Sequence, residues 1–290
     1  DRFGKGVRTA PRDALLTEVT PPEMRGRAFG FHKMMDTLGA VLGVLAAYVV
    51  IRTGTSVRTA VVLAMIPAVV GVLVVALVPE PKLPSAPTTP PTAAADRPAR
   101  AKVGLREAWR RCPLKLRLFF GIVLLFALGS SSNQFLLLRA KDVGFDAADV
   151  VLLYLVYNVS YLVMSYPAGR MSDRWGRRPL LVAGDVIYAA SYGAFAMADR
   201  LPREAVWGLF AFYGLYIGLT DGVEKALVAD MAPPEARATV LGLHATVTAA
   251  GLLPASVIAG WFYNAGHADA AFWFGGACAL LAAVIARWVL

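Results

Sequence analysis

Long apolar runs separated by short charged gaps set the rhythm of the chain. A helix of about 20 residues, rising about 1.5 Å per residue, crosses the ~30 Å hydrocarbon layer of a bilayer. Runs of that length occupy residues 26–50, 59–78, 118–138, 149–168, 179–198, 205–229, 238–263 and 270–289, which predicts eight membrane-spanning helices. Residues 1–20, with Arg8, Arg12 and Asp13, read as the cytoplasmic half of one more. When successive gaps alternate sides, residues 20–25, 80–117, 169–178 and 233–237 fall together, and they hold most of the Lys and Arg. The opposite gaps, near 52–58, 139–149, 199–204 and 264–269, are poorer in Lys and Arg and more acidic. Inserted helices keep their basic loops inside, which assigns the first set to the cytoplasm. An all-α, multi-pass helical bundle in the cell membrane is the expected architecture.

Composition agrees. Apolar residues make up 57% of the chain and mean hydropathy is +0.56. A net charge of +9 could suggest a nucleic-acid partner. Here, however, the positive charge falls in gaps between apolar runs, where it encodes topology, so no nucleic acid is expected. Cys112 lies in a basic stretch and Cys278 inside a span, so no disulfide framework follows, and no metal or other cofactor is expected. The chain opens on Asp1 without a signal-peptide pattern and reads as the middle of a longer protein. Residues 79–100, rich in Pro, Ala and Thr, cannot bury a core and read as a flexible linker. Leu105 and Trp109, four apart among Arg106, Arg110 and Arg111, fit either a short helix at headgroup level or a continued basic linker.

The chain repeats itself across that linker. Residues 14–25 (ALLTEVTPPEMR) align without a gap with residues 226–237 (ALVADMAPPEAR). The same register pairs Gly30 with Gly242, His32 with His244 and Gly39 with Gly251. Two copies of a helix–turn–helix unit imply two pseudo-symmetric halves.

Residues 169–178 (GRMSDRWGRR) sit between two apolar spans. Four arginines, an aspartate and two glycines cannot lie in hydrocarbon, which predicts a tight polar loop at the membrane face. The run resembles the signature loop of the major facilitator superfamily. That resemblance implies a secondary transporter built of two six-helix halves with the substrate path between them, working as a monomer. Residues 1–78 would then be helices four to six, 79–117 the cytoplasmic linker and 118–290 helices seven to twelve, with the first three helices absent. Gly169, Asp173, Arg174, Gly176, Arg177 and Arg178 would control conformation. Asp173 would touch the start of the fifth helix near Gly26–Phe29 and lock the outward-facing state. Gly30, Gly39 and Gly43 permit close helix approach and partly resemble the antiporter motif of the drug-efflux branch. That motif continues with Pro and a Gly pair, where this chain has Val44 and Ala47-Tyr48.

Ionisable groups inside spans are costly and mark candidate chemistry. Asp36 falls near the bilayer midplane, as far past the Pro21-Pro22 turn as Arg8 stands before it. An Arg8–Asp36 pair, with Arg12 one turn away and Asp13 as a local partner, would be a proton-coupling site or a structural pin. Asp221 and Lys225 lie one turn apart and predict an internal ion pair, while Glu224 faces the central path. Asp185 is expected to brace the Arg174–Arg178 region, and His32 and His244 to cap helix ends. Asn133 and Gln134, together with Tyr154, Tyr157, Asn158 and Tyr161 on one helix face, are candidates to line a cavity. No nucleophile–base pairing, zinc pattern or phosphate loop points to an enzyme. The expected function is proton-coupled export of a small organic molecule by alternating access, with the bilayer, the solute and protons as partners. A proton-driven uptake symporter and an inactive fragment are the alternatives.

Overall fold

The computed structural model describes residues 2–54, 56–77 and 104–290, with side chains of the first helix described from Thr9 onward. Its regular structure, among those residues, is helical throughout. Helices α1 (Arg2–Val19), α2 (Arg25–Arg52) and α3 (Val57–Leu77) precede the linker. After it come α4 (Leu105–Arg111), α5 (Leu114–Gly129), α6 (Asn133–Asp142), α7 (Ala147–Trp175) and α8 (Arg177–Ala196). Then α9 (Arg203–Met231), α10 (Arg237–Asn264) and α11 (Ala268–Val289) complete the bundle. Seven segments are long and apolar enough to cross a membrane, α5 and α6 together forming one of them. The eighth predicted span is α3, whose described side chains are all exposed. In hydrocarbon a helix satisfies its own backbone polar groups, which is why every apolar run takes this form.

Both copies of the repeat turn in the same way. Pro22–Met24 and Pro234–Ala236 each make one tight 3₁₀ turn between two long helices. A proline at such a start has no N–H to leave unpaired and supplies the right φ in advance. The α1–α2 hairpin and the α9–α10 hairpin are therefore two casts of one unit, and they meet: α2 packs on α7 and α9, and α1 on α10.

The α2–α7 contact is close because it is lined by glycine. A Cβ added to Gly169 would strike the backbone of Gly26, and one added to Gly30 would strike the Ser165 carbonyl. Gly169→Ala is accordingly expected to force the two helices apart. Overpacking of this kind costs ~1–3 kcal/mol, read as a lower unfolding temperature in detergent; an unchanged temperature would argue against the observed register.

Two expectations need correction. The predicted loop at 169–178 is almost entirely helix: α7 runs through Trp175, α8 begins at Arg177, and Gly176 makes the whole turn at φ +88°. That left-handed conformation is open to glycine without strain, so one residue suffices. The predicted span 118–138 is broken, because Ser130, Ser131 and Ser132 leave the helix between α5 and α6. The segment 103–111 does contain a helix, α4, whose Trp109 stacks on Phe120 under the Arg117 guanidinium. Residues 78–103, most of the expected linker, lie outside the described residues.

Candidate functional site

The polar side chains concentrate where the two hairpins meet. Gly169 lets α2 approach α7 so closely that Asp173, one turn further on, reaches the first free N–H groups of α2. Gly26 N–H donates to Asp173 Oδ1 at 2.9 Å and Arg27 N–H to Oδ2 at 3.0 Å. A helix N-terminus carries unpaired donors and a positive partial charge, which suits a carboxylate. Arg27 Nε (3.3 Å) and Arg177 Nη1 (2.6 Å) complete the shell, and the Asp173 side chain is 1% exposed. Arg177 folds back across the Gly176 turn and also reaches Asp230 at 3.2 Å. Asp230 in turn accepts from Arg25 at 2.9 Å. The result is an alternating chain, Arg27–Asp173–Arg177–Asp230–Arg25, stitched across the seam. Arg174 and Arg178 make no ion pair among the described residues, and Arg174 is exposed.

Further along the seam lie two more cross-pairs. Lys33 Nζ is 2.7 Å from Asp221 Oδ2, and Tyr161 Oη donates to the same oxygen at 2.5 Å. Lys225 Nζ is 2.9 Å from Asp13 Oδ2, while Arg12 holds Asp13 Oδ1 at 3.0 Å. The expected Asp221–Lys225 pair within one helix is thus replaced by partners on α2 and α1. Both residues point across the seam, where an opposite charge stands closer than one turn away. Asp13 and Lys225 occupy the same position of the repeat, so their contact lies on the pseudo-two-fold axis. Exchanging them, Asp13→Lys with Lys225→Asp, should therefore preserve the pair. Each single change puts like charges face to face and is expected to cost roughly 3–5 kcal/mol; a double variant no more stable than the singles would contradict the axial placement.

Other candidates separate. Asp36 is exposed on α2, one turn beyond His32 and Lys33, and forms no ion pair among the described residues. The Arg8 side chain lies outside the described residues. Glu224 turns to His244, with Oε1 2.7 Å from Nε2, so His244 bonds a side chain of α9 instead of capping a helix end. The repeat-equivalent His32 has a buried Nε2 with no hydrogen-bond partner among the described residues. Asp185 faces Glu224 in a pocket between α5, α8, α9 and α11 instead of bracing the arginines, because two helical turns carry it away from them. Gly30 sits in the α2–α7 contact, whereas a Cβ on Gly39 or Gly43 would meet no described atom within 4 Å.

The break in the seventh span is clamped by tyrosines, a feature sequence reading did not detect. Tyr188 Oη donates to the Gly129 carbonyl at 3.2 Å, and the Ser131 and Tyr192 hydroxyls lie 3.1 Å apart. Tyr213 Oη donates to Asn133 Oδ1 at 2.9 Å, and Asn133 Nδ2 donates to Tyr157 Oη at 3.3 Å. Polar groups freed by the break are thus satisfied inside the bundle, as a membrane interior requires. Tyr157 and Asn158 are buried in this packing, with Asn158 bonded to the Tyr154 carbonyl, while Gln134 is exposed.

The seam joins two casts of one hairpin through Asp173. Residues 2–157 and 118–290 each match the family described as Major Facilitator Superfamily. The chain belongs to the Major Facilitator Superfamily. Within it, an uncharacterized MFS-type transporter of Methanocaldococcus jannaschii is 32% identical over 296 residues, covering 100% of this chain and 70% of that protein. The quinolone resistance protein NorA of Staphylococcus aureus is 23% identical over 168 residues, 58% of this chain and 42% of its own. The solved structure of the MFS proton:xylose symporter XylE, bound to 6-bromo-6-deoxy-D-glucose, shares the fold with a TM-score of 0.63 at 19% identity. That match covers 94% of this chain and 65% of XylE. The chain thus spans about two-thirds of the length of the relatives it matches end to end. It is a multi-pass MFS membrane protein with two pseudo-symmetric halves, and the Asp173 network is one of the contacts that join α2 to α7 and α9.

Proposed function

We propose that the protein exports a small organic molecule in exchange for protons, by rocking its two halves about the seam described above. The observation that carries this reading is the chemistry of the seam. Beside the apolar packing of Ala14 and Phe29, its contacts are ion pairs and glycine-lined backbone approaches, which water can replace when the halves part. Alternating access requires such a contact to form and break in each cycle. In this reading the end bearing Asp173 faces the cytoplasm, and the Asp173 network holds the outward-facing state. Asp36, exposed on α2 one turn beyond Lys33, is the carboxylate that Lys33 meets on leaving Asp221. Similarity to NorA and the partial glycine motif of α2 support export over uptake.

Inverted membrane vesicles test this. Respiration acidifies their lumen, and an antiporter discharges that gradient when its substrate is added. Screening small organic molecules for discharge should find at least one that acts with the protein and not with an Asp173→Asn variant. Proton-driven solute accumulation by whole cells, with no discharge in inverted vesicles, would make it a symporter instead.

A further inference from the structure

Where the chain enters its second half, α4 and α5 meet at a corner. Pro113 has no N–H to carry α4 onward, and Cys112 and Pro113 are both extended, so the chain changes direction between the two helices. Ala108 and Cys112, one turn apart, are buried in the same apolar core as Val240 and Leu241 of α10. Trp109 stacks on Phe120, and Arg117 lies over the Trp109 ring while its Nη2 donates to the Arg110 carbonyl at 2.6 Å. The short helix is thereby fastened to the bundle, and the arc it turns outward is fixed. That arc carries Arg106 and Arg110, one turn apart, beside Glu107 and Arg111, which pair with each other.

The corner has an excess of cations. Residues 104–118 hold five basic side chains and one acid, and that acid is taken by Arg111. Arg106 and Arg110 are exposed and make no ion pair among the described residues. The preceding sequence offers no surplus of anions, since residues 78–103 set Lys82, Arg97, Arg100 and Lys102 against Glu80 and Asp96. Beside the free arginines lie exposed apolar side chains: Leu105 is 57% exposed, Leu114 70% and Leu118 46%. Leu114 opens a segment long and apolar enough to cross a membrane, so the corner stands where that segment meets the headgroups. Guanidinium groups bind phosphate through paired N–H donors, and the leucines offer an acyl chain an apolar surface. A water-soluble acidic partner would answer the arginines and leave the leucines uncovered.

We propose that the α4–α5 corner binds an anionic phospholipid, with the headgroup phosphate against Arg106 and Arg110 and the acyl chains along Leu114 and Leu118. Trp109, held between Phe120 and Arg117, sets the depth of the headgroup, as an aromatic ring at the edge of the hydrocarbon does. Each basic side chain near an anionic membrane surface raises affinity roughly fivefold, so the two free arginines together account for a preference of at least tenfold over a zwitterionic lipid. The site lies within the second half and requires neither export nor proton coupling.

Native mass spectrometry of the detergent-purified protein tests this, with phosphatidylglycerol or phosphatidylcholine of identical acyl chains added in turn. The first phosphatidylglycerol should bind at least tenfold more tightly than the first phosphatidylcholine. Arg106→Gln combined with Arg110→Gln should abolish that preference; both side chains are exposed, so the fold is expected to survive. Arg52→Gln combined with Arg58→Gln removes as much charge from exposed positions around the α2–α3 turn and should leave the preference intact. Equal binding of the two lipids by the wild type, a preference that survives loss of Arg106 and Arg110, or one lost equally with Arg52 and Arg58 would overturn the site. Displacement of phosphatidylglycerol by millimolar inorganic phosphate would also overturn it, by showing that the arginines take a free anion and the leucines hold no lipid.

Discussion

Asp173→Asn is expected to open the seam. The carboxylate accepts two backbone N–H groups at the start of α2 and two arginine donors, in a position 1% exposed. An amide keeps one acceptor oxygen and loses the charge, so Arg177 and the α2 N-terminus are left facing a neutral group. Charge-assisted hydrogen bonds contribute about 1.5–3 kcal/mol each. A net loss of roughly 3 kcal/mol shifts the closed-to-open ratio of this end about a hundredfold. Ser165→Cys provides the readout, since Ser165 is buried on α7 against Gly30 and cysteine has nearly the same shape. In a background where Cys112 and Cys278 are replaced, alkylation of Cys at 165 should speed up by at least tenfold when Asp173 is changed to Asn. Equal alkylation rates would mean that Asp173 does not hold the halves together.

The second large effect belongs to Lys33 and Asp221. Both are mostly buried, 2.7 Å apart, with Tyr161 on the carboxylate. Removing one partner strands a charge in a low-dielectric seam, which costs about 3–5 kcal/mol. Lys33→Met and Asp221→Leu should each lower the unfolding temperature in detergent sharply. Combined, they remove both charges, and the double variant should recover most of the loss, since apolar replacement of a buried pair is often close to neutral. Strictly additive losses would show that the two residues do not act on each other. Recovery of stability without recovery of transport is the expected pattern, because a permanent apolar contact no longer exchanges with water.

Much of this was legible along the chain. Apart from 118–138, which is broken into α5 and α6, each apolar run of about 20 residues became one helix, because a bilayer leaves the backbone little alternative. The repeat marked the two hairpins that meet, and the resemblance of residues 169–178 to the superfamily's signature loop pointed Asp173 to Gly26–Phe29. What periodicity along one helix cannot reveal is a partner on another. Asp221 and Lys225 look paired at one-turn spacing, yet Lys33 and Asp13, some two hundred residues away in sequence, stand closer. Asp185 departs from its expected place for the same reason, since it lines a pocket together with Glu224 of α9. The break at Ser130–Ser132 was hidden because serines sit comfortably in a membrane helix; only the tyrosines of α7, α8 and α9, which bond to the region, make leaving the helix affordable.

The central claim is that the seam is a working contact, formed in one state of the transporter and broken in another. Distances across it decide the matter most directly: spin labels at exposed Met24 and Trp175, measured by double electron–electron resonance in lipid nanodiscs from acidic to alkaline pH. A working seam gives two distance populations whose ratio moves with pH, with the longer one dominant in Asp173→Asn. A single short distance at every pH, unchanged by that substitution, would mean that the two halves are fixed to each other and that alternating access at this contact is wrong.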